Sequence, residues 1–150
     1  MDKQKLYLET SVWNFYFADD APDKKEATIK FFEKIKDGKF EIFISEIVFK
    51  EIRRASGKKQ KLLFDLIGRY KPTLLKPNKQ TDFLADKYIE EGALSKNNIE
   101  DANHAAIATV NKMDNLLSWN MKHLANFRRM TIINEINVRH GYKKIILITP

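Results

Sequence analysis

The stretch "DANHAAIATVNKMDNLLSWN", residues 101–120, decides the fold class of this chain. Its first half is rich in alanine and favours a helix over about residues 99–112. The apolar run "NLLSW" follows and predicts a buried strand that stops abruptly at polar side chains. Open α/β sheets present ligand-binding groups at the carboxyl ends of their strands. The stretch therefore indicates an α/β fold and makes Asn120 a candidate site residue.

The remainder of the chain continues this alternation of strands and helices. Further strands are predicted at residues 5–9 ("KLYLE"), at 40–45 ("FEIFIS"), in a short edge position between Pro72 and Pro77, and at 144–149 ("KIILIT"). Further helices are predicted after Thr10, at 23–36, after Ser45, and at 59–69, 79–91 and 121–138. Short apolar strands between helices favour a mostly parallel sheet in a three-layer α/β/α fold, with residues 1–150 as a single domain.

Composition limits the chemistry that the chain can perform. It has no cysteine, which excludes disulfides, thiolate metal sites and a cysteine nucleophile. Any metal would therefore be bound by oxygen ligands, with a histidine as a further option. The formal net charge of +7 favours phosphate-rich or otherwise acidic partners, among them nucleic acid.

The sequence gives no sign of a membrane-bound or exported protein. No apolar run approaches the roughly 20 residues of a membrane-spanning helix. The first ten residues, "MDKQKLYLET", hold too few apolar positions for a secretory signal. We therefore expect no membrane partner and a cytoplasmic location.

Polar side chains follow three of the predicted strands or open the next helix. They are Glu9, either Glu46 or Glu51, Asp101 and Asn120. Carboxylates that converge at one sheet edge form a hard, oxygen-rich site that suits Mg²⁺ or Mn²⁺. Each residue also has an ordinary structural interpretation, since Asp101 could favour its helix dipole and Glu9 could cap the first helix.

Four passages together resemble the PIN-domain family, especially the bacterial ribonuclease toxins of type II toxin–antitoxin pairs. They are "YLETSVWNFYF", "ISEIVFKEIRRA", "DANHAAIATVNKMDNLLSWNMKHLAN" and "GYKKIILITP", in that order and over nearly the whole chain. The resemblance implies a three-layer α/β/α domain whose acidic cluster binds Mg²⁺ or Mn²⁺ and hydrolyses RNA. It also implies that a protein antitoxin and a homodimer are possible partners.

The resemblance assigns the site position by position. Glu9 stands where the family usually has its first Asp, and Glu51 matches the acidic residue after the second strand. Asp101 matches the central Asp, and Asn120 stands where a fourth Asp is usual. Glu9 is longer than Asp by a methylene, and Asn120 lacks a charge. We therefore expect the site to bind one metal and to hold a second weakly or not at all.

Four further residues are candidates for positioning substrate. Thr10 and Ser11 follow the first acidic residue, and their hydroxyls could orient a ligand or water. His104 lies three residues after Asp101 and could reach the phosphate, or could be a packed core histidine. His123 follows the last strand before the C-terminal helix and could touch RNA.

Two kinds of surface stretch remain open to alternative interpretations. The apolar stretch "WNFYF", residues 13–17, is either core or a docking surface for a second copy or an antitoxin. The basic stretches at 53–61 and 127–130 are either RNA-backbone contacts or solvated helix faces. The leading hypothesis is a metal-dependent ribonuclease. The alternatives are a catalytically weakened PIN-fold module that binds RNA or a partner, and a DNA nuclease.

Overall fold

The computed structural model describes residues 3–120 and 127–150, which form one five-stranded sheet with helices on both faces. The strands are β1 (Gln4–Leu8), β2 (Phe40–Ser45), β3 (Thr73–Leu75), β4 (Asn115–Leu117) and β5 (Ile146–Ile148). The helices are α1 (Thr10–Phe15), α2 (Pro22–Lys36), α3 (Glu46–Ile52), α4 (Gly57–Tyr70), α5 (Lys79–Glu90), α6 (Ile99–Val110) and α7 (Phe127–Arg139). A 3-10 turn, Lys96–Asn98, leads into α6.

All strand pairs are parallel, in the order β3-β2-β1-β4-β5. The short strand β3 lies at an edge, as its flanking prolines predict. The chain builds the sheet outward from β1 in one direction through β2 and β3, then returns to place β4 on the other side of β1. The direction of strand addition therefore reverses between the paired strands β1 and β4. Their carboxyl ends form the topological switch point, where open α/β sheets bind ligands.

Alternate residues of the central strands pack against opposite helical layers. Tyr7 and Leu116 belong to a buried cluster with residues of α5, α6 and α7. Leu6, Leu8 and Leu117 belong to a second buried cluster with residues of α1, α2 and α4. Both faces of the sheet are thus buried, which confirms the predicted three-layer α/β/α architecture with a parallel sheet.

Several element ends differ from the prediction by one or two residues. Strand β4 ends at Leu117 because the backbone N–H of Trp119 donates to Ser11 Oγ (2.8 Å) and leaves the sheet ladder. Strand β1 ends at Leu8 because the Glu9 side chain accepts from the backbone N–H of Ser11 and so caps α1. The first part of the helix predicted over 121–138 lies outside the described residues. None of the described helices is both long and apolar enough to span a membrane.

Candidate active site at the carboxyl edge of the sheet

Strands β1 and β4 bring two of the predicted site residues to the same edge. The two strands are paired in register at Leu8 and Leu117, so the residues that follow them lie side by side. The Glu9 backbone N–H donates to the Leu117 carbonyl (3.0 Å), and the Asn120 backbone N–H donates to Ser118 Oγ (2.9 Å). Glu9 and Asn120 thereby lie at the carboxyl edge of the sheet, as predicted, and this part of the edge is the switch point.

Glu9 is a buried carboxylate that also caps a helix. Only 3% of the residue is exposed, and its Oε1 lies 2.5 Å from the backbone nitrogen of Ser11. Burial raises the pKa of Glu9, and the charge of His104 and the hydrogen bonds from Ser11 offset only part of that rise. Glu9 thus caps α1, and this cap holds its carboxyl group where a nearby cation would stabilise the negative charge.

Glu51 reaches the same edge from α3 and is held by two partners at one oxygen. Thr10 Oγ1 donates to Glu51 Oε1 (3.0 Å), and His104 Nε2 lies 2.5 Å from that oxygen. Partial burial by itself raises the pKa of Glu51, but the hydrogen bond and charge of His104, aided by Thr10 and Arg54, outweigh it and lower the pKa. Of the two acidic residues that the sequence left open in α3, Glu51 is the one in these contacts.

His104 lies beneath the carboxylates in the core of the protein. The residue has no exposed surface, and its Nδ1 lies 2.6 Å from the hydroxyl of Tyr7, which lies 2.8 Å from Ser45 Oγ. Burial alone lowers the pKa of His104, but the hydrogen bond to Glu51 and the charges of Glu51, Glu9 and Asp101 together raise it. The structure thus places His104 as a packed histidine that supports Glu51.

Asp101 and Asn120 complete the arrangement from α6 and from the segment after β4. Asp101 lies in the first turn of α6, and Asn120 Nδ2 lies 3.5 Å from Asp101 Oδ1. Both side chains are partly buried. The Asn120 amide donates to the Asp101 carboxylate, so no charge repulsion arises between these two side chains. Two carboxylates at these positions, which the family resemblance implies, would repel each other.

The donor set fits a hard divalent cation by its chemistry. Three carboxylates and one amide oxygen are the ligands that Mg²⁺ and Mn²⁺ prefer. In residues 3–120 and 127–150, however, no three acidic or histidine side chains stand close enough together to enclose an ion. Glu51 and Asp101 make hydrogen bonds to His104 and Asn120 instead. An ion would have to compete with these contacts for the carboxylate oxygens.

The remaining predicted positioning residues have separate outcomes. Thr10 and Ser11 lie at the site, where Thr10 contacts Glu51 and Ser11 contacts Glu9, Ser118 and Trp119. His123 lies outside the described residues. The prediction that these side chains position substrate stays a prediction.

Two buried hydroxyl groups of the site, those of Tyr7 and Ser45, were not predicted from the sequence. Tyr7 sits between Leu6 and Leu8 and has the pattern of an ordinary core residue of a strand. Ser45 was recognised only as a helix cap, a role that it does fill by accepting from the Ile47 backbone N–H. The one available signal was a hydroxyl in an otherwise apolar strand, because buried polar groups need a partner.

The segment 13–17 divides between the two interpretations. Trp13 is fully buried against Phe32, so it belongs to the core. Phe15 and Phe17 are only partly buried. They line a cavity of about 440 Å³ together with Asn14, Ala18, Asp20, Ser56, Lys58, Lys59 and Leu62. Lys58 and Lys59 of the basic stretch 53–61 therefore border a concave surface while remaining exposed.

Two solved structures share this fold over nearly the whole chain. One is VapBC2 from Rickettsia felis bound to a DNA fragment from the promoter, with 18% identity, 97% of this chain and 98% of that chain covered, and a TM-score of 0.62. The other is DNA-bound VapBC from Salmonella typhimurium, with 15% identity, the same coverage and a TM-score of 0.59. No protein-family model and no curated protein matches the sequence.

Likeness at this level of identity shows the fold. The PIN-like architecture that the resemblance implies is therefore confirmed.

Proposed function

We propose that this chain is a metal-dependent endoribonuclease of PIN type, a toxin-like protein that hydrolyses RNA phosphodiester bonds. One arrangement carries the proposal: acidic side chains from three elements lie at the carboxyl edge of the sheet, Glu9 after β1, Glu51 against the buried His104, and Asp101 against Asn120. This part of the edge is the switch point of the parallel sheet, where α/β folds bind their ligands. The net charge of +7 favours a polyanionic substrate.

The acidic residues have the role of ion ligands in this proposal. Glu9, Glu51 and Asp101 would hold Mg²⁺ or Mn²⁺, and Asn120 would add a neutral oxygen. When bound, such an ion supplies an activated water and stabilises the negative charge that develops on the phosphate.

The neighbouring residues hold these ligands in place. Thr10 fixes Glu51 by its hydroxyl, and Ser11 fixes Glu9 by its backbone N–H. His104 supports Glu51 from the core side and balances part of the negative charge of the cluster. Positioning of this kind lowers the cost of bringing the reacting groups together.

Cleavage assays test the proposal directly. Purified protein is incubated with structured and unstructured RNAs in Mg²⁺, Mn²⁺ or chelator. We expect metal-dependent cleavage that Asp101→Asn abolishes while the variant stays folded. Asp86→Asn, the same change at an exposed position of α5, is the matched control and should cleave like wild type. Cleavage that persists in chelator or in Asp101→Asn would contradict the proposal.

A second candidate is a PIN-fold module with weakened catalysis that binds RNA or a partner. The amide at Asn120 and its contact with Asp101 favour it, because both reduce the demand of the cluster for a cation. This candidate predicts RNA affinity that survives chelator and Asp101→Asn. A DNA nuclease would share the metal chemistry, and assays with matched RNA and DNA substrates would distinguish it.

The partner proteins proposed here follow from the fold. The two similar structures are VapBC toxin–antitoxin complexes, which supports an antitoxin as the partner of this chain. A homodimer and a cytoplasmic location stay predictions. Where the adjacent gene encodes a small DNA-binding protein, co-expression with that protein and mass measurement in solution test both the antitoxin and the dimer.

A further inference from the structure

Phe15, Trp119 and Lys24 form a compact cluster, which we call the aromatic wall. The ring centroids of Phe15 and Trp119 lie 5.9 Å apart at an interplanar angle of 53°. Lys24 Nζ lies 5.2 Å from the Phe15 ring centroid and 5.7 Å from that of Trp119. Both rings are partly buried and Lys24 is exposed, so the wall is a surface feature with a cation over its rings.

The Trp119 indole is held rigidly next to the candidate active site. Its Nε1–H donates to Thr28 Oγ1 (2.8 Å), and its backbone N–H donates to Ser11 Oγ (2.8 Å). The following residue is Asn120, whose side chain contacts Asp101. Ser11, which accepts from the Trp119 backbone N–H, also donates its own backbone N–H to Glu9 Oε1, so the indole is tied to the carboxylate edge through one residue.

Phe15 also connects the wall to a concave surface that carries further lysines. It lines the cavity of about 440 Å³ with Phe17, Leu62, Lys58 and Lys59. Aromatic rings flanked by lysines that follow a groove are the features with which proteins bind single-stranded nucleic acid. Asp20 is the one acidic residue among those that line this cavity.

We infer that the aromatic wall is a stacking site for a base of single-stranded RNA, adjacent to the phosphate that is cleaved. The inference rests on the proposed function for its choice of ligand. Stacking tolerates any base because every base has a π-face, and the exposed Lys24 side chain, displaced from the rings by the base, would pair with a neighbouring phosphate. Bases inside a duplex are already stacked, so the wall selects unpaired nucleotides. An extended segment of a partner protein is the other occupant to be tested.

The charge of the surface favours RNA over a protein segment. Lys24, Lys58 and Lys59 all border the rings or the adjoining cavity. A polyanion gains from each of these cations through counterion release. A protein segment would gain as much only if it were strongly acidic itself, whereas every nucleotide of RNA carries a negative charge.

Tryptophan fluorescence reports on the wall directly. The chain has two tryptophans, and Trp13 is fully buried, so a stacked base quenches Trp119 selectively. Protein in chelator, where RNA stays intact, is titrated with an oligouridylate and with an abasic oligonucleotide of the same length and charge. We expect quenching by the oligouridylate alone and affinity for it about tenfold higher than for the abasic strand.

Matched variants separate stacking from general binding. Phe15→Leu should reduce the affinity for oligouridylate about tenfold and leave the affinity for the abasic strand unchanged. Phe83→Leu is the control, because Phe83 is 49% exposed on α5 and also has a lysine near its ring, Lys87 Nζ at 5.4 Å. Lys24→Gln should weaken binding to both strands and reduce its salt dependence.

The outcomes distinguish this inference from the proposed function. Equal affinity for both strands with unchanged fluorescence would overturn the stacking site. The same holds if Phe15→Leu leaves RNA binding intact and abolishes binding of a partner protein, since the wall would then be a protein-docking surface. Base-dependent quenching by a protein that cleaves no RNA with any metal would support the stacking site and contradict the nuclease proposal.

Discussion

His104 and Glu51 are joined inside the protein, with His104 Nε2 2.5 Å from Glu51 Oε1. The imidazole is fully buried, and its Nδ1 is hydrogen-bonded to the Tyr7 hydroxyl. That hydroxyl is in turn hydrogen-bonded to Ser45 Oγ. A chain of hydrogen bonds therefore leads from the end of β2 through β1 and α6 to a carboxylate at the sheet edge. Such supporting contacts fix the orientation of a ligand residue and restrict the positions its oxygens can take.

Removing the Tyr7 hydroxyl should loosen Glu51. We expect Tyr7→Phe to weaken Mg²⁺ or Mn²⁺ binding and RNA cleavage about tenfold or more, the usual effect of losing a residue that supports a ligand. The variant should also lose about 1–3 kcal/mol in free energy of unfolding, because His104 Nδ1 loses its buried partner. Calorimetric metal titration and urea unfolding measure the two effects.

A second buried tyrosine provides the control for this experiment. Tyr88 is fully buried in the same core cluster. Its hydroxyl is hydrogen-bonded to the side chains of Thr109 and Asn137, away from the carboxylates. Tyr88→Phe should lower stability by a similar amount and leave metal affinity unchanged. If both variants bind metal like wild type, Tyr7 has only a structural role.

Stability should fall as the pH rises above neutral. The pKa of His104 is raised in the folded protein, since its bond to Glu51 and the charges of Glu51, Glu9 and Asp101 outweigh burial. Its contribution is therefore complete below the unfolded-state pKa of about 6.5 and is lost as pH rises through the higher folded-state pKa. The raised pKa of Glu9 acts in the same direction.

The slope of this pH dependence can be measured by urea unfolding in chelator. One linked proton changes the free energy of unfolding by about 1.4 kcal/mol per pH unit at most. Glu51, whose pKa is lowered, acts in the opposite direction only at acidic pH, near and below its unfolded value. His140→Gln, a change just after α7 beside Phe83, is the matched histidine control. A slope that also persists in His104→Gln would contradict the assignment.

The fold and the edge on which the site lies could be predicted because they depend on local pattern. Apolar runs, capping residues such as Ser45 and prolines around β3 determine where each element lies. Parallel strands then bring their carboxyl ends together without any knowledge of side-chain contacts. Glu9 and Asn120 were found in this way.

The contacts within the site could not be predicted, because they join residues far apart in the chain. Tyr7 and His104 are separated by 97 positions, and Ser11 and Trp119 by 108. Only the folded sheet brings such pairs together, and a hydroxyl in a strand does not reveal its partner. The early end of β4 has the same origin, since the Ser11 side chain takes the N–H that would have continued the strand.

Introducing a negative charge at position 120 should lower the stability of the folded protein and raise its affinity for metal. Asn120→Asp places a second carboxylate about 3.5 Å from Asp101 Oδ1. Two such charges repel each other by about 1 kcal/mol or more, so the variant should unfold more easily in chelator. Mg²⁺ or Mn²⁺ should then raise its melting temperature more than that of wild type, because tighter binding stabilises the folded state. Identical metal-induced shifts in the two proteins would show that the missing charge does not limit ion binding.

The hydroxyl of Thr10 should matter through Glu51. Thr10 Oγ1 donates to the oxygen of Glu51 that His104 also contacts, and Thr10 is only 4% exposed. Thr10→Val keeps the shape of the side chain and removes the donor, whereas Thr10→Ser keeps the donor. We expect Thr10→Val to reduce cleavage and metal affinity several-fold, with about 1 kcal/mol lost in stability, and Thr10→Ser to retain most of both. Equal losses of cleavage and metal affinity in the two variants would show that Thr10 acts through the packing of its methyl group. Glu51 would then be held by His104 alone.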